Sequence, residues 1–306
     1  MGDLVLYLGM FVLSLAVLVF ASDKFVENAE RVGLSLGISS FVIGVTIVAF
    51  GTSLPELAAS IAAVFAGESA IVINTVVGSN IANILLVLGI VAVVGKSIPL
   101  NMRIMDSDVP LLLASAFLLY FICSDGDIST LDAIILLIAL VVFLTNSLKA
   151  SDDGEEVEKV SAGWKAYAFI VGAGILVYFS AEYTVESITK LSEIGGISSG
   201  VIAASLVSLG TSLPEIVVSV AAARRGNTGI ALGNVIGSNA FNTFAVVAIP
   251  SLLGELVIDP AVIDFRLPFM VAMTLLLTVI CISNRVSRWE GAMLLLFYGY
   301  FLTQLV

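Results

Sequence analysis

The sequence contains no histidine, two cysteines and little charge: 12% of its 306 residues are Asp, Glu, Lys or Arg. Without histidine the chain lacks the commonest transition-metal ligand and the usual proton shuttle near neutral pH. Cys123 and Cys281 each lie near the end of an apolar run, where they read as small packing residues rather than a disulfide or a thiolate centre. The scarcity of charge decides the class. A soluble domain carries about 25% charged residues, whereas 59% of this chain is apolar and its mean hydropathy is +1.12. Such a chain cannot cover a water-facing surface, so its solvent is hydrocarbon. The net charge of -11 argues against nucleic acid, which calls for basic patches. The first apolar stretch, 4–21, has no basic flank before it and no small-residue cleavage site after it, so it reads as a spanning helix rather than a signal peptide.

Apolar runs long enough to cross about 30 Å of hydrocarbon, at a rise of about 1.5 Å per residue, recur at 4–21, 41–66, 71–94, 109–123 and 131–148. A second set follows at 166–181, 201–223, 229–253, 267–282 and 291–306. The expectation is an all-α membrane protein of ten transmembrane helices. Between the sets lies the long polar stretch SDDGEEVEK, a solvated linker. It divides the chain into a first five-helix unit at 1–150, an acidic linker at 151–162 and a second five-helix unit at 163–306. Lys24, Arg31, Lys96, Arg103, Lys149, Lys159, Lys165, Arg224, Arg225, Arg285 and Arg288 fall in loops after odd-numbered helices; only Lys190 and Arg266 fall opposite. By the positive-inside rule this puts the odd loops and the acidic linker in the cytoplasm and both termini outside, in a multi-pass protein of the cell membrane. Trp164 and Trp289, at the ends of helices, read as interfacial anchors.

Sliding the chain against itself by 159 residues superposes its most unusual segments. Gly37-Ile38-Ser39-Ser40 meets Gly196-Ile197-Ser198-Ser199, and the hexapeptide GTSLPE at Gly51 to Glu56 recurs at Gly210 to Glu215. Gly78-Ser79-Asn80 meets Gly237-Ser238-Asn239, and Asn83 meets Asn242. Five crossings are an odd number, so the second copy enters the membrane from the opposite side. The halves form an inverted repeat, an arrangement that transporters use to expose one central site to either side in turn.

The repeated motifs carry the chemistry. Pro55 and Pro214 each remove a backbone donor, and Gly51 and Gly210 weaken the helix, so helices broken at the midplane are expected, with freed carbonyls there. A carboxylate at bilayer depth costs at least about 2.5–3.5 kcal/mol. Glu56 and Glu215 occupy equivalent depths with no lysine or arginine in the apolar runs to neutralise them. A bound cation is the better neutraliser, and two carboxylates with backbone and hydroxyl oxygens suit Ca²⁺. Ser79, Asn80 and Asn83, with Ser238, Asn239 and Asn242, read either as small residues for close helix packing or as extra oxygens for smaller monovalent ions.

GTSLPE followed by GSN-x-x-N, present in both halves, resembles the α-repeats of the calcium/cation antiporter superfamily, specifically prokaryotic sodium/calcium exchangers, over nearly the whole chain. The resemblance implies exchange of Na⁺ for Ca²⁺, with no cofactor beyond the transported ions. It implies Glu56, Glu215, Thr52 and Thr211 as calcium ligands. It implies Ala49, Ser53, Ser79, Ser208, Ser212 and Ser238 as sodium ligands, with Asn83 and Asn242 supporting the central site. Two positions depart from the family pattern. Asn242 stands where many relatives carry aspartate, a change associated in the family with loss of potassium dependence. Ser208 stands where alanine is frequent, opposite Ala49.

Three other functions use the same residues. A proton/calcium antiporter would rely on the same glutamates, but such relatives commonly carry histidine-bearing motifs. A cation channel would use similar oxygens without the need for inverted repeats. An intramembrane enzyme would have to work with the acid pair alone, since no activated nucleophile is evident. The partners implied are Na⁺, Ca²⁺ and the lipid bilayer; neither nucleic acid nor a protein partner is implied.

Overall fold

The computed structural model describes residues 2–95, 97–99, 104–149, 161–195 and 212–305. Helix α1 spans Gly2–Ser35. It is followed by α2 (Ser40–Phe65), α3 (Ala70–Gly95), α4 (Asp106–Cys123) and α5 (Thr130–Lys149). The second half holds α6 (Trp164–Ile194), α7 (Leu213–Arg224), α8 (Thr228–Ser251) and α9 (Val262–Cys281), and α10 (Arg288–Thr303). Among the described residues eight helices, all but α7 and α10, are long and apolar enough to cross a membrane. Most of the acidic linker, and 201–211 of the expected seventh helix, lie outside the described residues.

Two helices outrun their apolar stretches. The first and sixth were expected at 4–21 and 166–181, yet α1 continues to Ser35 and α6 to Ile194. At a rise of about 1.5 Å per residue the 34 residues of α1 reach about 51 Å. The polar residues that end the apolar run do not end the helix. Lys24 pairs with Glu27 at 2.9 Å one turn on, and Asn28 Nδ2 donates to the Lys24 carbonyl at 2.7 Å. The helix stops where Ile38 N donates back to the Gly33 carbonyl at 2.9 Å across Gly37, and Ser39 then caps α2 by accepting from Val42 N. In the first half the motif GISS is thus a stop followed by a start; its second copy, 196–199, lies outside the described residues.

The expected break at GTSLPE is absent from the first half. α2 runs through Pro55 as continuous helix. An unpaired backbone group in hydrocarbon is costly enough that the chain stays coiled, and it takes up irregularity as widened π turns. These lie at Gly44–Val48 in α2, Asn83–Val87 in α3 and Asn242–Val246 in α8, with two more at the starts of α4 (Ile104–Asp108) and α9 (Val262–Arg266).

The sequence repeat is also a structural one. The π turns that begin at Asn83 and Asn242 are 242 − 83 = 159 residues apart. Gly67 and Gly226, at the same offset, both adopt positive φ, +79° and +84°. Each closes a helix with the same backward bond at 2.9 Å, Glu68 N to the Ala63 carbonyl and Asn227 N to the Ala222 carbonyl. A side chain with Cβ would strain that left-handed backbone, which explains glycine at both sites.

α8 forms the centre of the molecule: 94% of its spanning stretch is buried, against 17% for α1. It crosses the π turn of α2 at backbone distance. A Cβ added to Gly233 would stand 2.2 Å from the Phe41 carbonyl oxygen, and one added to Gly237 would stand 2.5 Å from that of Val45. Small residues at this spacing let two helices approach closely where lipid supplies no hydrophobic drive between them. α1 and α6 lie along each other, tied by a bond from Thr184 Oγ1 to Ser14 Oγ at 2.9 Å. Strands β1 (Ser97–Pro99) and β2 (Arg285–Ser287) pair antiparallel, Ile98 opposite Val286, and join the end of α3 to the start of α10. Both cysteines are free and buried.

Candidate ion site

The motif residues converge in the middle of the bundle. Thr52, Ser53 and Glu56 on α2, Ser79, Asn80 and Asn83 on α3, Ser212 and Glu215 at the start of α7, and Ser238, Asn239 and Asn242 on α8 are all buried. Ala49, one turn before Thr52, is fully buried. Ser208 and Thr211 lie outside the described residues. Glu56 and Glu215 are 3% and 1% exposed and close enough for their charges to interact; Thr52 neighbours Glu215. The ion pairs among the described residues, Lys24–Glu27, Lys190–Glu193 and Arg225–Glu27, leave both glutamates out.

Burial alone does not mark a site; orphaned polar atoms do. Among the described residues, the Ser53 and Ser212 hydroxyls, both carboxylate oxygens of Glu56 and of Glu215, the Asn80 and Asn239 amide oxygens, and the whole amides of Asn83 and Asn242 are buried without a hydrogen-bond partner. These are four pairs of equivalent residues. An unpaired buried polar group costs about 1–3 kcal/mol, more when charged. A cluster of them, rich in oxygen and assembled twice over, is intelligible as a shell for hard cations. No group of three or more Asp, Glu or Cys side chains gathers among the described residues, so neutral oxygens have to complete any such shell.

The two halves meet at this shell. Asn239 Nδ2 donates to the carbonyl of its own counterpart, Asn80, at 3.3 Å. The glutamates, also counterparts, likewise lie close to each other. Asn80 Nδ2 donates to Thr243 Oγ1 at 2.9 Å. Around Thr52 a further network forms: its hydroxyl donates to Asn234 Oδ1 at 3.1 Å, and Asn234 Nδ2 donates to Ser219 Oγ at 2.9 Å. Sequence reasoning missed Asn234, Ser219 and Thr243. An amide in the otherwise apolar run IALGNVIG was the available signal for Asn234.

Helices of membrane-spanning length around a buried, oxygen-lined centre define a multi-pass membrane transport protein. The chain belongs to the sodium/calcium exchanger family, within the calcium/cation antiporter superfamily: the model of the sodium/calcium exchanger protein family matches residues 6–149 and 165–306. It is 36% identical to a sodium/calcium exchanger of Methanosarcina acetivorans over 96% of each chain. It is 34% identical to an uncharacterized membrane protein of Methanocaldococcus jannaschii, also over 96% of each. Among solved structures it resembles the sodium-calcium exchanger NCX_Mj soaked with Na⁺ and Sr²⁺, with a TM-score of 0.86 at 33% identity, covering 98% of this chain and 99% of that one.

Proposed function

We propose that this protein exchanges Na⁺ for Ca²⁺ across the cell membrane by alternating access, without a requirement for K⁺. The observation that carries the reading is the set of paired, buried oxygens centred on Glu56 and Glu215. In this reading Ca²⁺ sits between the two carboxylates and the carbonyls of Thr52 and Thr211. Na⁺ ions use the carbonyls of Ala49 and Ser208 and the hydroxyls of Ser53, Ser79, Ser212 and Ser238, with Asn83 and Asn242 supporting the centre. The cargoes compete because they share the glutamates. Either cargo neutralises the pair and permits the switch, whereas two bare charges in hydrocarbon oppose it. Asn242 supplies a neutral amide rather than a third carboxylate, which is the basis for potassium independence.

The architecture in this reading is ten crossings in two inverted five-helix repeats, 1–150 and 163–306, with the 151–162 linker in the cytoplasm and both termini outside. α1 and α6 slide together as the gate, a role supported by their mutual packing at the edge of the bundle. The test is ⁴⁵Ca²⁺ uptake into proteoliposomes driven by a Na⁺ gradient. Wild-type protein should take up Ca²⁺ equally with K⁺ present or replaced by choline, and Glu56→Gln should abolish uptake. Wild-type uptake by that variant, or uptake driven by a pH gradient with no Na⁺, would refute the reading.

A further inference from the structure

We propose that Asn234 is a positioning residue for sodium: its amide oxygen keeps two sodium ligands, Ser238 Oγ and the Ala49 carbonyl, open toward the ion. The inference rests on the exchange reading above and extends it to a residue that acts through its neighbours. A hydroxyl has one proton, so it can face a cation with its lone pairs only when that proton is directed elsewhere. In a buried site, elsewhere has to be another acceptor.

Asn234 supplies one. It is fully buried on α8, between α2 and α7. Ser238 Oγ, one turn further along the same helix, donates to its Oδ1 at 3.4 Å. Thr52 Oγ1, from α2, donates to the same oxygen at 3.1 Å. The nitrogen of the amide is held by Ser219 Oγ of α7 at 2.9 Å, which stops the group from turning over and presenting a donor to Thr52. Thr52 has other acceptors within reach, the Ala49 carbonyl at 3.3 Å, Ser238 Oγ at 3.4 Å and the neighbouring Glu215 carboxylate. Drawing the Thr52 proton to Asn234 leaves that carbonyl to a cation. Calcium, bound in this reading through carboxylates and the backbone of Thr52, depends on neither proton. Position 75, the counterpart of 234 in the first half, is a threonine and carries no amide, so the device belongs to the second half.

Purified protein in detergent, titrated with ⁴⁵Ca²⁺ and then with competing Na⁺, tests this. For Asn234→Ala the Na⁺ concentration that displaces half of the bound Ca²⁺ should rise about five- to tenfold, the scale of one or two lost hydrogen bonds. The Ca²⁺ affinity measured without Na⁺ should move less than about twofold. Ser219→Ala, a smaller change that leaves Asn234 in place but unlatched, should shift the Na⁺ requirement in the same direction and less, and it serves if Asn234→Ala does not fold. Adding Asn234→Ala to Ser238→Ala should cost much less than it does alone, because one of the two ligands it serves is already gone. Equal losses of Ca²⁺ and Na⁺ binding, no shift in either single variant, or full additivity with Ser238→Ala would overturn the assignment. Wild-type Ca²⁺ binding that ignores Na⁺ overturns the exchange reading itself, and this inference with it.

Discussion

Glu56 and Glu215 come from different halves of the chain, yet each is buried beside the other with no lysine or arginine paired to it among the described residues. Residues in such a site act jointly. Glu215→Gln should therefore eliminate Na⁺-driven ⁴⁵Ca²⁺ uptake as fully as Glu56→Gln, and a large difference between the two would mean that they do not share one ion. Thr243 plays a different part, as the acceptor for the buried Asn80 amide. Thr243→Val should leave that amide unpaired at a cost of about 1–3 kcal/mol, measurable as a lower melting temperature in detergent. Most of the candidate ligands were legible in the sequence because each appears twice at one offset. That same logic hides whatever is not duplicated. Asn234 and Thr243 face Thr75 and Ile84 in the other half, so no repeat drew attention to them, and only packing shows what they hold.

At the scale of elements, the crossing of α2 and α8 is set by glycine. Gly233→Ala would force a methyl group to within 2.2 Å of the Phe41 carbonyl. Overpacking of that kind costs about 1–3 kcal/mol. The expected outcome is a melting temperature lower by several degrees and reduced transport, since the crossing carries Thr52 and Ser238. Gly299→Ala on α10 is the control: a Cβ there meets nothing within 4 Å, and stability should hold or rise slightly with the better helix former. The apolar runs located the spanning stretches but understated α1 and α6, because hydropathy registers lipid contact and is blind to a helix that continues into polar surroundings on its own ion pairs and side-chain bonds. Proline misled in the other direction. Pro55 reads as a break, yet the surrounding residues stay helical, and the irregularity falls in π turns, which leave no compositional mark.

For the whole molecule, orientation is the expectation most directly open to experiment. A protease site placed within 151–160 should be cut in inside-out vesicles and protected in intact cells; the reverse would invert the assignment of faces drawn from the cationic loops. The internal repeat was readable from the chain alone, since GTSLPE and GSN-x-x-N recur at a fixed spacing. How tightly the units interlock was not, because it depends on contacts such as Asn239 to Asn80 that join positions far apart in sequence.

The short ribbon of β1 and β2 has a mechanical consequence. With Ile98 and Val286 sealed inside it, it welds the end of α3 to the beginning of α10 on one side of the bilayer. α1 and α6, by contrast, are fastened largely to each other. In the exchange proposed above, a body clamped in this way would yield where the clamp is missing: the paired outer helices would ride as a carriage over a keel that holds its shape, and the cradle for the ions would not need rebuilding each time the door changed sides.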